Sequence, residues 1–343
     1  MIMSSKLLLT PGPTNIPKEY LEILGNDIIH HRTPEFRRIM KENNENLKKV
    51  FKTTNDVAIL TSSGTGSMET AIVNFFSKGD KVLAINTGYF GDRFRKIAEI
   101  YGLNVINLQY EFGDSYNLDD VKKVIAENSD LKGILATHSE TSVGILNNIK
   151  ALGDLTNNTD ILLVVDTISG LVVNDFDFDA WHIDVAIAGS QKAFLIPPGL
   201  AFVAVSDKAK KAMETSDLPK YYFDLKQYEK YFDANAETPY TPAIALILAL
   251  NQSLKDLVKN GVESTIKQKI NLPWDLCNTF IIPIITSSSI NVLLAHSSHT
   301  GLWLRIKEPS MFPSHTDFVL SVPSNQGSLT PDGSLPCVLQ SLA

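Results

Sequence analysis

The sequence predicts an α/β protein whose main sheet is mostly parallel and doubly wound, with helices on both faces. The first observation is repetition, because apolar runs of strand length alternate with helix-like segments from residue 57 to residue 188. The second is that these runs are continuously apolar, which is typical of parallel strands buried on both faces. The third is that polar segments follow the runs, at the sheet edge where open α/β folds bind ligands.

The predicted elements, in chain order, begin after a proline-rich arm at residues 10–14. The apolar period predicts an amphipathic helix at Pro34–Lys52 whose core face is formed by Phe36, Ile39, Leu47, Val50 and Phe51. Strands are predicted at Val57–Leu60, Lys81–Ile85, Val105–Leu108, Gly133–Thr137, Ile161–Val165 and Val185–Ala188. Helices are predicted at Met68–Phe76, Asp92–Tyr101, Leu118–Ala126 and Ile149–Leu155.

Composition excludes several classes of partner. The 343 residues are enough for one large and one small domain. A formal net charge of −7 argues against a nucleic acid or a membrane surface as partner. Cys277 and Cys337 have no metal-binding or redox spacing, and neither a signal peptide nor an apolar run of membrane-spanning length is evident. We therefore expect a cytoplasmic protein without a metal site.

Lys192 is the first candidate for chemistry. It comes three residues after Gly189, where the apolar run Val185–Ala188 stops, and it precedes the rigid segment Pro197–Gly199. Partial desolvation lowers the pKa of an amine, and the neutral amine is the form that attacks a carbonyl. The position indicates a Schiff-base lysine, with an ordinary solvated loop lysine as the alternative.

Asp166 is the second candidate, because it ends the continuous apolar run Ile161–Val165. An acid at this strand end and a lysine about one strand later would suit pyridoxal phosphate. The carboxylate would keep the pyridine nitrogen protonated while the lysine holds the aldehyde. The alternative for Asp166 is a turn or helix N-cap residue.

The remaining candidate segments also follow predicted strands. Residues 61–67, rich in glycine, serine and threonine, precede a helix and indicate either a phosphate cradle or a simple cap of small residues. Phe90 would stack on a planar ring or pack as a core aromatic. The segment His138–Gly144 offers hydroxyls to a ligand or caps a helix. Their convergence on one edge of the sheet favours a common site.

Eight short segments then occur in one order, and together they resemble a known family. They are Pro11–Thr14, Ser63–Glu69, Gly88–Arg93, Thr137–Gly144, Val165–Asp166, Gly189–Lys192, Pro197–Gly199 and Thr238–Pro242. Through these segments the chain resembles the class-V pyridoxal-phosphate aminotransferases of the alanine–glyoxylate and serine–pyruvate type, from about Leu7 to about Lys267. The resemblance implies a fold type I enzyme with a large cofactor-binding domain and a smaller C-terminal α/β domain.

The resemblance also implies roles for the matched residues. Lys192 would form the Schiff base and Asp166 would pair with the pyridine nitrogen, which makes both catalytic. The other implied cofactor-binding residues are Thr65, Gly66 and Ser67 for the phosphate, Gln191 beside it, Phe90 for ring stacking, Thr141 near the ring oxygen, and Thr241 for the phosphate of a neighbouring subunit. Thr241 therefore implies a homodimer with shared sites, and Gly12 is a candidate substrate contact.

The chain departs from the family after about Lys267. Relatives continue with a charged helical domain that supplies an arginine for the substrate carboxylate, whereas residues 281–289 and 324–334 are rich in serine and proline. The surroundings of Arg305 do not match that clamp. We predict an N-terminal arm at 1–15, a cofactor domain at 16–245 and an atypical C-terminal segment at 246–343. We expect the part after Lys267 to be poorly ordered or loosely packed.

Three functions follow as hypotheses. The first is transamination of a small amino acid, of the alanine or serine type, with glyoxylate or pyruvate as acceptor. The second is a cofactor-binding protein that is catalytically impaired or non-catalytic because the substrate clamp is altered. The third is a related lyase or desulfurase, which would need a nucleophilic cysteine, and both cysteines fall in the atypical segment.

Overall fold

A computed structural model of the chain describes residue 8 and residues 10–267, together with the backbone of four strands between residues 292 and 341. Contacts divide the chain into two compact units, residues 12–262 and residues 1–11 with 263–343. The predicted domain boundaries remain predictions. No helix in the described part of the chain is long and apolar enough to span a membrane.

The larger unit contains a mixed sheet of seven strands and a separate two-stranded ribbon. The strands are β1 Val57–Ser62, β2 Lys81–Asn86, β3 Asn104–Gln109, β4 Leu131–Thr137, β5 Ser139–Glu140, β6 Ile145–Leu146, β7 Leu162–Asp166, β8 Val185–Gly189 and β9 Gly199–Val205. The order in the sheet is β1-β9-β8-β7-β4-β2-β3, and β5 pairs with β6. Strands β3, β2, β4, β7 and β8 pair in parallel, while β9 runs antiparallel to both of its neighbours.

Helices pack on both faces of this sheet. They are α1 Lys18–Leu24, α2 Pro34–Phe51, α3 Gly64–Phe75, α4 Tyr89–Ile100, α5 Leu118–Glu127, α6 Ile149–Thr156, α7 Asp207–Thr215, α8 Leu225–Asn235 and α9 Ile244–Asn260. Helices α2, α6 and α9 contribute to one hydrophobic core, and α3, α4, α7 and α8 contribute to the other. The prediction of a mostly parallel, doubly wound α/β fold is confirmed.

The alternation of β7 separates the two cores. Leu163 and Val165 belong to the core with α2, whereas Leu162 and Val164 belong to the core with α3. All four side chains are buried, as expected for a strand in the middle of a sheet covered on both sides. The continuous apolar run in the sequence therefore reflects burial on two faces.

Two predicted helix starts were wrong. Helix α3 begins at Gly64 instead of Met68, because Ser63 acts as N-cap and its side chain accepts a hydrogen bond from the backbone N–H of Gly66. Helix α4 begins at Tyr89 instead of Asp92. The first turn of each helix contains glycine, which has a low helix propensity, so the sequence pattern predicts a later start.

The smaller unit contains a four-stranded antiparallel sheet in which neighbours in sequence pair. Its strands are β10 Val292–Ser298, β11 Gly301–Ile306, β12 Phe318–Pro323 and β13 Val338–Ser341. Residues 281–289 and 324–334, on which the prediction of an atypical segment rests, lie outside the described residues, as do Cys277 and Cys337. The expectation of loose packing remains a prediction.

Candidate active site

A cavity of about 290 Å³ lies within the larger unit, next to the carboxyl ends of the parallel strands. The structure brings seven of the predicted site residues together in its lining: Gly12, Thr65, Phe90, Thr141, Asp166, Gln191 and Lys192. Gly66, Ser67 and Thr241 were predicted with them but do not line it. The common site that the loop positions indicate is therefore present in the geometry, except for these three residues.

Lys192 is positioned by the loop between β8 and β9. The backbone N–H of Ser190 donates to the Leu200 carbonyl at 3.0 Å. The Ser190 hydroxyl donates to the Pro197 carbonyl at 2.7 Å and accepts from the Leu200 N–H at 3.1 Å. The hydroxyl of Thr14 donates to the Lys192 carbonyl at 3.3 Å. Ser190, buried and fully bonded, thus fixes a loop that the sequence marked only by its prolines.

The side chain of Lys192 is packed closely by Gly12. A Cβ atom added to Gly12 would lie 2.4 Å from Lys192 Cδ and 2.8 Å from Nζ, and the φ angle of +150° itself favours glycine. Burial lowers the pKa of Lys192, while the charge of Asp166 acts in the opposite direction. The amine therefore loses its proton more readily than a solvated lysine does.

Asp166 lies at the end of β7, and 3% of the residue is exposed. Its Oδ1 accepts a hydrogen bond from the Ile168 N–H at 2.9 Å, so the turn role considered as an alternative is also present. Burial raises the pKa of this carboxyl to about 7, against the opposing effects of the Ile168 hydrogen bond and of the charges on Lys192 and Arg93. A cation placed beside Asp166 would recover part of this desolvation cost.

The N-terminus of α3 reaches the cavity through Ser63, Gly64 and Thr65. The N–H groups of Gly66 and Ser67 are bonded to Ser63, and the Ser67 hydroxyl donates to the Gly64 carbonyl at 2.6 Å. Within the described residues, the N–H groups of Gly64 and Thr65 have no hydrogen-bond acceptor. This helix end therefore offers two donors and a partial positive charge to an anion.

Phe90 is positioned by a carboxylate that caps its helix from strand β5, which is distant in the sequence. Buried Glu140 accepts from the N–H groups of Phe90 and Gly91, each at 3.0 Å, and from the Ser142 hydroxyl at 2.7 Å. Ser142 in turn accepts from the Tyr89 N–H at 3.0 Å. The segment His138–Gly144 thus caps a helix and also sends Thr141 to the cavity.

Arg93, Ser139 and Ser169 also line the cavity, although the sequence analysis gave none of them an individual role. The Thr141 hydroxyl donates to that of Ser169 at 2.6 Å. Arg93 would have been found from its i, i+3 spacing to Phe90 if the start of α4 had been recognised. Nothing in the sequence around Ser169 marks it, because it reaches the cavity through the turn after Asp166.

The other predicted functional residues lie elsewhere. Thr241 is exposed, and the N–H of nearby Ala243 donates to the Thr61 hydroxyl at 2.9 Å. Arg305 belongs to β11, where only the backbone is described. Among the residues described with side chains, no group of three or more His, Cys, Asp or Glu residues could hold a metal ion.

The cavity fits pyridoxal phosphate by its set of donors. A lysine with a lowered pKa and a buried carboxyl with a raised pKa lie on it together, and they match the aldehyde and the pyridine nitrogen. The open N–H groups of α3 match the phosphate. The backbone of Gly12 leaves room where any Cβ would collide with Lys192. Fold and cavity together define a pyridoxal-phosphate enzyme of fold type I.

Comparison with known proteins shows which family of pyridoxal-phosphate enzymes the chain resembles. The model of the class-V aminotransferase family matches residues 14–276. An uncharacterized aminotransferase of Methanocaldococcus jannaschii is 40% identical over 264 residues, which cover 77% of this chain and 69% of that protein. The L-aspartate–glyoxylate aminotransferase of Paracoccus denitrificans is 38% identical over 266 residues, or 76% of this chain and 67% of the relative.

A solved structure agrees with the sequence comparisons. The aspartate aminotransferase of subgroup IV from Thermus thermophilus superposes with a TM-score of 0.75 and 32% identity, covering 89% of this chain and 84% of the other. The chain therefore belongs to the class-V aminotransferases. It is an aminotransferase with pyridoxal phosphate as its cofactor.

Proposed function

We propose that the protein transfers an amino group from a small amino acid, of the alanine or serine type, to glyoxylate or pyruvate, with Lys192 as the residue that holds the cofactor covalently. The observation that carries this proposal is the pairing of Lys192 and Asp166 on one cavity, with their pKa values shifted toward each other. L-aspartate joins the donors to be tested, because one relative and one solved structure are named for it.

Bound pyridoxal phosphate supplies an aldehyde for amino groups and a ring that withdraws electrons from the adjoining carbon. Lys192 Nζ, once the incoming amino acid has displaced it, acts as the general base that removes the proton from the substrate Cα. Its lowered pKa supports this role, since a base must be unprotonated near neutral pH. The same Nζ would hold the abstracted proton and would act as the acid that returns it later in the transfer.

Asp166 holds the proton of the pyridine nitrogen in this proposal. Its burial strengthens any ion pair that it makes there. The other residues that would hold the cofactor are Thr65, Gly66, Ser67 and Gln191 at the phosphate, Phe90 against the ring, and Thr141 near the ring oxygen. Gly66 and Ser67 would contribute through the helix end that they stabilise, because their own N–H groups are already bonded.

The proposal includes a homodimer, in which Thr241 reaches the phosphate of the neighbouring subunit. Its exposed position outside this chain's own cavity supports that assignment. Sedimentation of the purified protein should give the mass of two chains. A single-chain mass, with full cofactor affinity in Thr241→Ala, would remove this part of the proposal.

The covalent assignment is tested by borohydride reduction of the protein loaded with pyridoxal phosphate. Peptide mass spectrometry should place the pyridoxyl group on Lys192, and Lys192→Ala should lose it. Lys150→Ala is the matched control, because Lys150 is an exposed lysine paired with Asp154 at 2.8 Å. A reducible adduct of equal yield in Lys192→Ala would overturn the assignment.

The reaction is tested by coupling L-alanine, L-serine and L-aspartate, each in turn, to glyoxylate and to pyruvate. Formation of the matching 2-oxo acid with at least one donor is the expected result. Cofactor binding on Lys192 without turnover of any donor would instead support the non-catalytic alternative. Release of sulfide from cysteine would support the desulfurase alternative.

A further inference from the structure

Arg93 is a cation on the candidate active site to which the family comparison attaches no role. It lies one helical turn after Phe90 on α4, is half-buried, and lines the same cavity as Lys192. Its guanidinium lies 5.0 Å from the centre of the Phe90 ring and 5.1 Å from that of Tyr89. The two aromatic faces therefore restrict the side chain and direct its charged end.

The guanidinium keeps most of its donors available. A guanidinium has five N–H donors. Towards the residues that the structure describes, Arg93 uses one of them, with Nη1 donating to the Thr65 hydroxyl at 2.9 Å. In the described part of the chain, no carboxylate lies within ion-pair distance of Arg93. Its neighbour Arg95, by contrast, is paired with both Asp92 and Glu99. Arg93 thus carries a charge into the cavity that no described residue neutralises there by direct ion pairing.

The partner of Arg93 indicates what it would bind. Thr65 belongs to the first turn of α3, whose open N–H groups and partial positive charge favour an anion. The hydrogen bond from Arg93 places a full positive charge at this same helix end. The carboxylate of Glu140 is already occupied by the N-terminus of α4. A planar fork of donors beside a helix N-terminus matches an oxyanion with at least two oxygens.

We propose that Arg93 is an oxyanion-binding residue of this cavity, which works together with the N-terminus of α3 through Thr65. The oxyanion is the cofactor phosphate or a carboxylate of the substrate, such as the second carboxylate of aspartate. The inference deepens the proposed function and depends on it for the identity of the cofactor. The oxyanion chemistry itself depends only on Arg93, Thr65 and the helix end.

The test uses the full-length Arg93→Gln variant, which removes the charge and leaves a shorter, uncharged polar side chain. The phosphate arm compares the affinities of cofactor-free protein for pyridoxal phosphate, for pyridoxal and for inorganic phosphate. The carboxylate arm compares maleate with acetate on cofactor-loaded protein, followed by the cofactor absorbance. We expect affinity to fall by about tenfold to a hundredfold in one arm, since hydrogen bonds to charged groups are the strong ones.

The two arms distinguish the source of the oxyanion. Loss of pyridoxal phosphate and inorganic phosphate affinity, with pyridoxal unchanged, assigns Arg93 to the phosphate. Loss of maleate affinity with the phosphate arm unchanged assigns it to a carboxylate. A change smaller than fivefold for every oxyanion would overturn the inference. Wild-type protein that binds phosphate but not pyridoxal phosphate would overturn the proposed function and leave this inference standing.

Two variants serve as controls. Arg95→Gln removes an arginine from the same helix that is occupied by its own ion pairs outside the cavity, and it should leave all five affinities within twofold. Arg93→Lys keeps the charge but not the planar fork, so it should show a smaller loss than Arg93→Gln. If Arg93→Gln does not fold, Arg93→Met, which also removes the charge, takes its place, and oxyanion affinities unchanged in that variant would overturn the inference.

Discussion

Asp166 is a buried acid whose carboxyl serves two purposes at once. One oxygen closes the turn after β7 through the Ile168 N–H, and the group also lines the cavity. Burial raises its pKa to about 7. In the cofactor-free protein the charged form of this acid is therefore poorly solvated, which costs folding free energy. Burial has the opposite effect on the base Lys192, whose pKa it lowers.

The raised pKa of Asp166 predicts a pH dependence of stability. The folded pKa of about 7 exceeds the ordinary value of 3.8, so between these values the folded state binds a proton that the unfolded state has lost. The stability of the cofactor-free protein should fall as pH rises, by roughly 1.4 kcal/mol per pH unit from this group, and level off above the folded pKa. Asp166→Asn should remove that slope.

The measurement is urea unfolding of cofactor-free protein at pH 5, 6, 7 and 8. The difference between wild type and Asp166→Asn isolates this carboxyl from all other titrating groups. Asp160→Asn, at an exposed position before β7, is the matched control. Parallel pH profiles for wild type and Asp166→Asn would show that the group titrates alike in the folded and unfolded chains.

Helix α4 shows how a single element depends on a residue from another part of the chain. Its N-cap residue, Gly88, has no side chain that could accept a hydrogen bond from the first turn. Glu140 and Ser142 supply the acceptors instead. A carboxylate is suited to this position because the helix dipole presents partial positive charge there. The same turn orients Phe90 toward the cavity, and Arg93 follows one turn later.

Replacing Glu140 by glutamine should therefore loosen the start of α4. The amide keeps one acceptor but turns donors toward backbone N–H groups, and leaving buried donors unsatisfied costs about 1–3 kcal/mol. We expect a lower free energy of unfolding together with weaker pyridoxal phosphate binding, because Phe90 lies in the affected turn. Unfolding and cofactor titration measure the two effects.

The control for this prediction is Glu127→Gln at the exposed end of α5. It should change neither quantity by a measurable amount. If Glu140→Gln lost stability but bound the cofactor normally, the capping of α4 would not control the position of Phe90. If Glu140→Gln lost neither stability nor cofactor affinity, the carboxylate cap would contribute to neither quantity.

At the scale of the larger unit, one sheet carries two hydrophobic cores. Each strand in its middle presents alternate side chains to the two cores, as β7 does with Leu162 and Leu163. The site lies at the carboxyl ends of these same strands, so the cores hold Asp166 and the loop of Lys192 in place. Disturbing either core should therefore weaken the same folding transition.

This arrangement predicts that Leu162→Ala and Leu163→Ala have similar effects, although their side chains point to opposite faces. Both residues are buried, with 3% and 0% exposed, and removing such a side chain costs about 2–5 kcal/mol. Each variant should shift one single unfolding transition, monitored both by far-UV circular dichroism and by aromatic fluorescence. Leu146→Ala, at an exposed position, is the control.

Separate transitions in one variant, with only one of them displaced, would contradict this view. They would mean that the two faces of the sheet unfold independently. The larger unit would then consist of two cooperative units that share a sheet.

The sequence by itself determined the parallel strands, their order along the chain, and the placement of Lys192 and Asp166 at strand ends, because continuous apolar runs and the polar residues that stop them are local features. The family resemblance came from short segments that are also local. Tertiary structure alone decided that Glu140 caps α4, that Gly12 packs on Lys192 and that Arg93 meets Thr65. Each of these contacts joins residues far apart in the chain, and nothing within either segment specifies its partner. It also decided where α4 begins, since the long-range hydrogen bonds to Glu140 and Ser142 outweigh the low helix propensity of Gly91. The start of α3, by contrast, follows from the local cap Ser63.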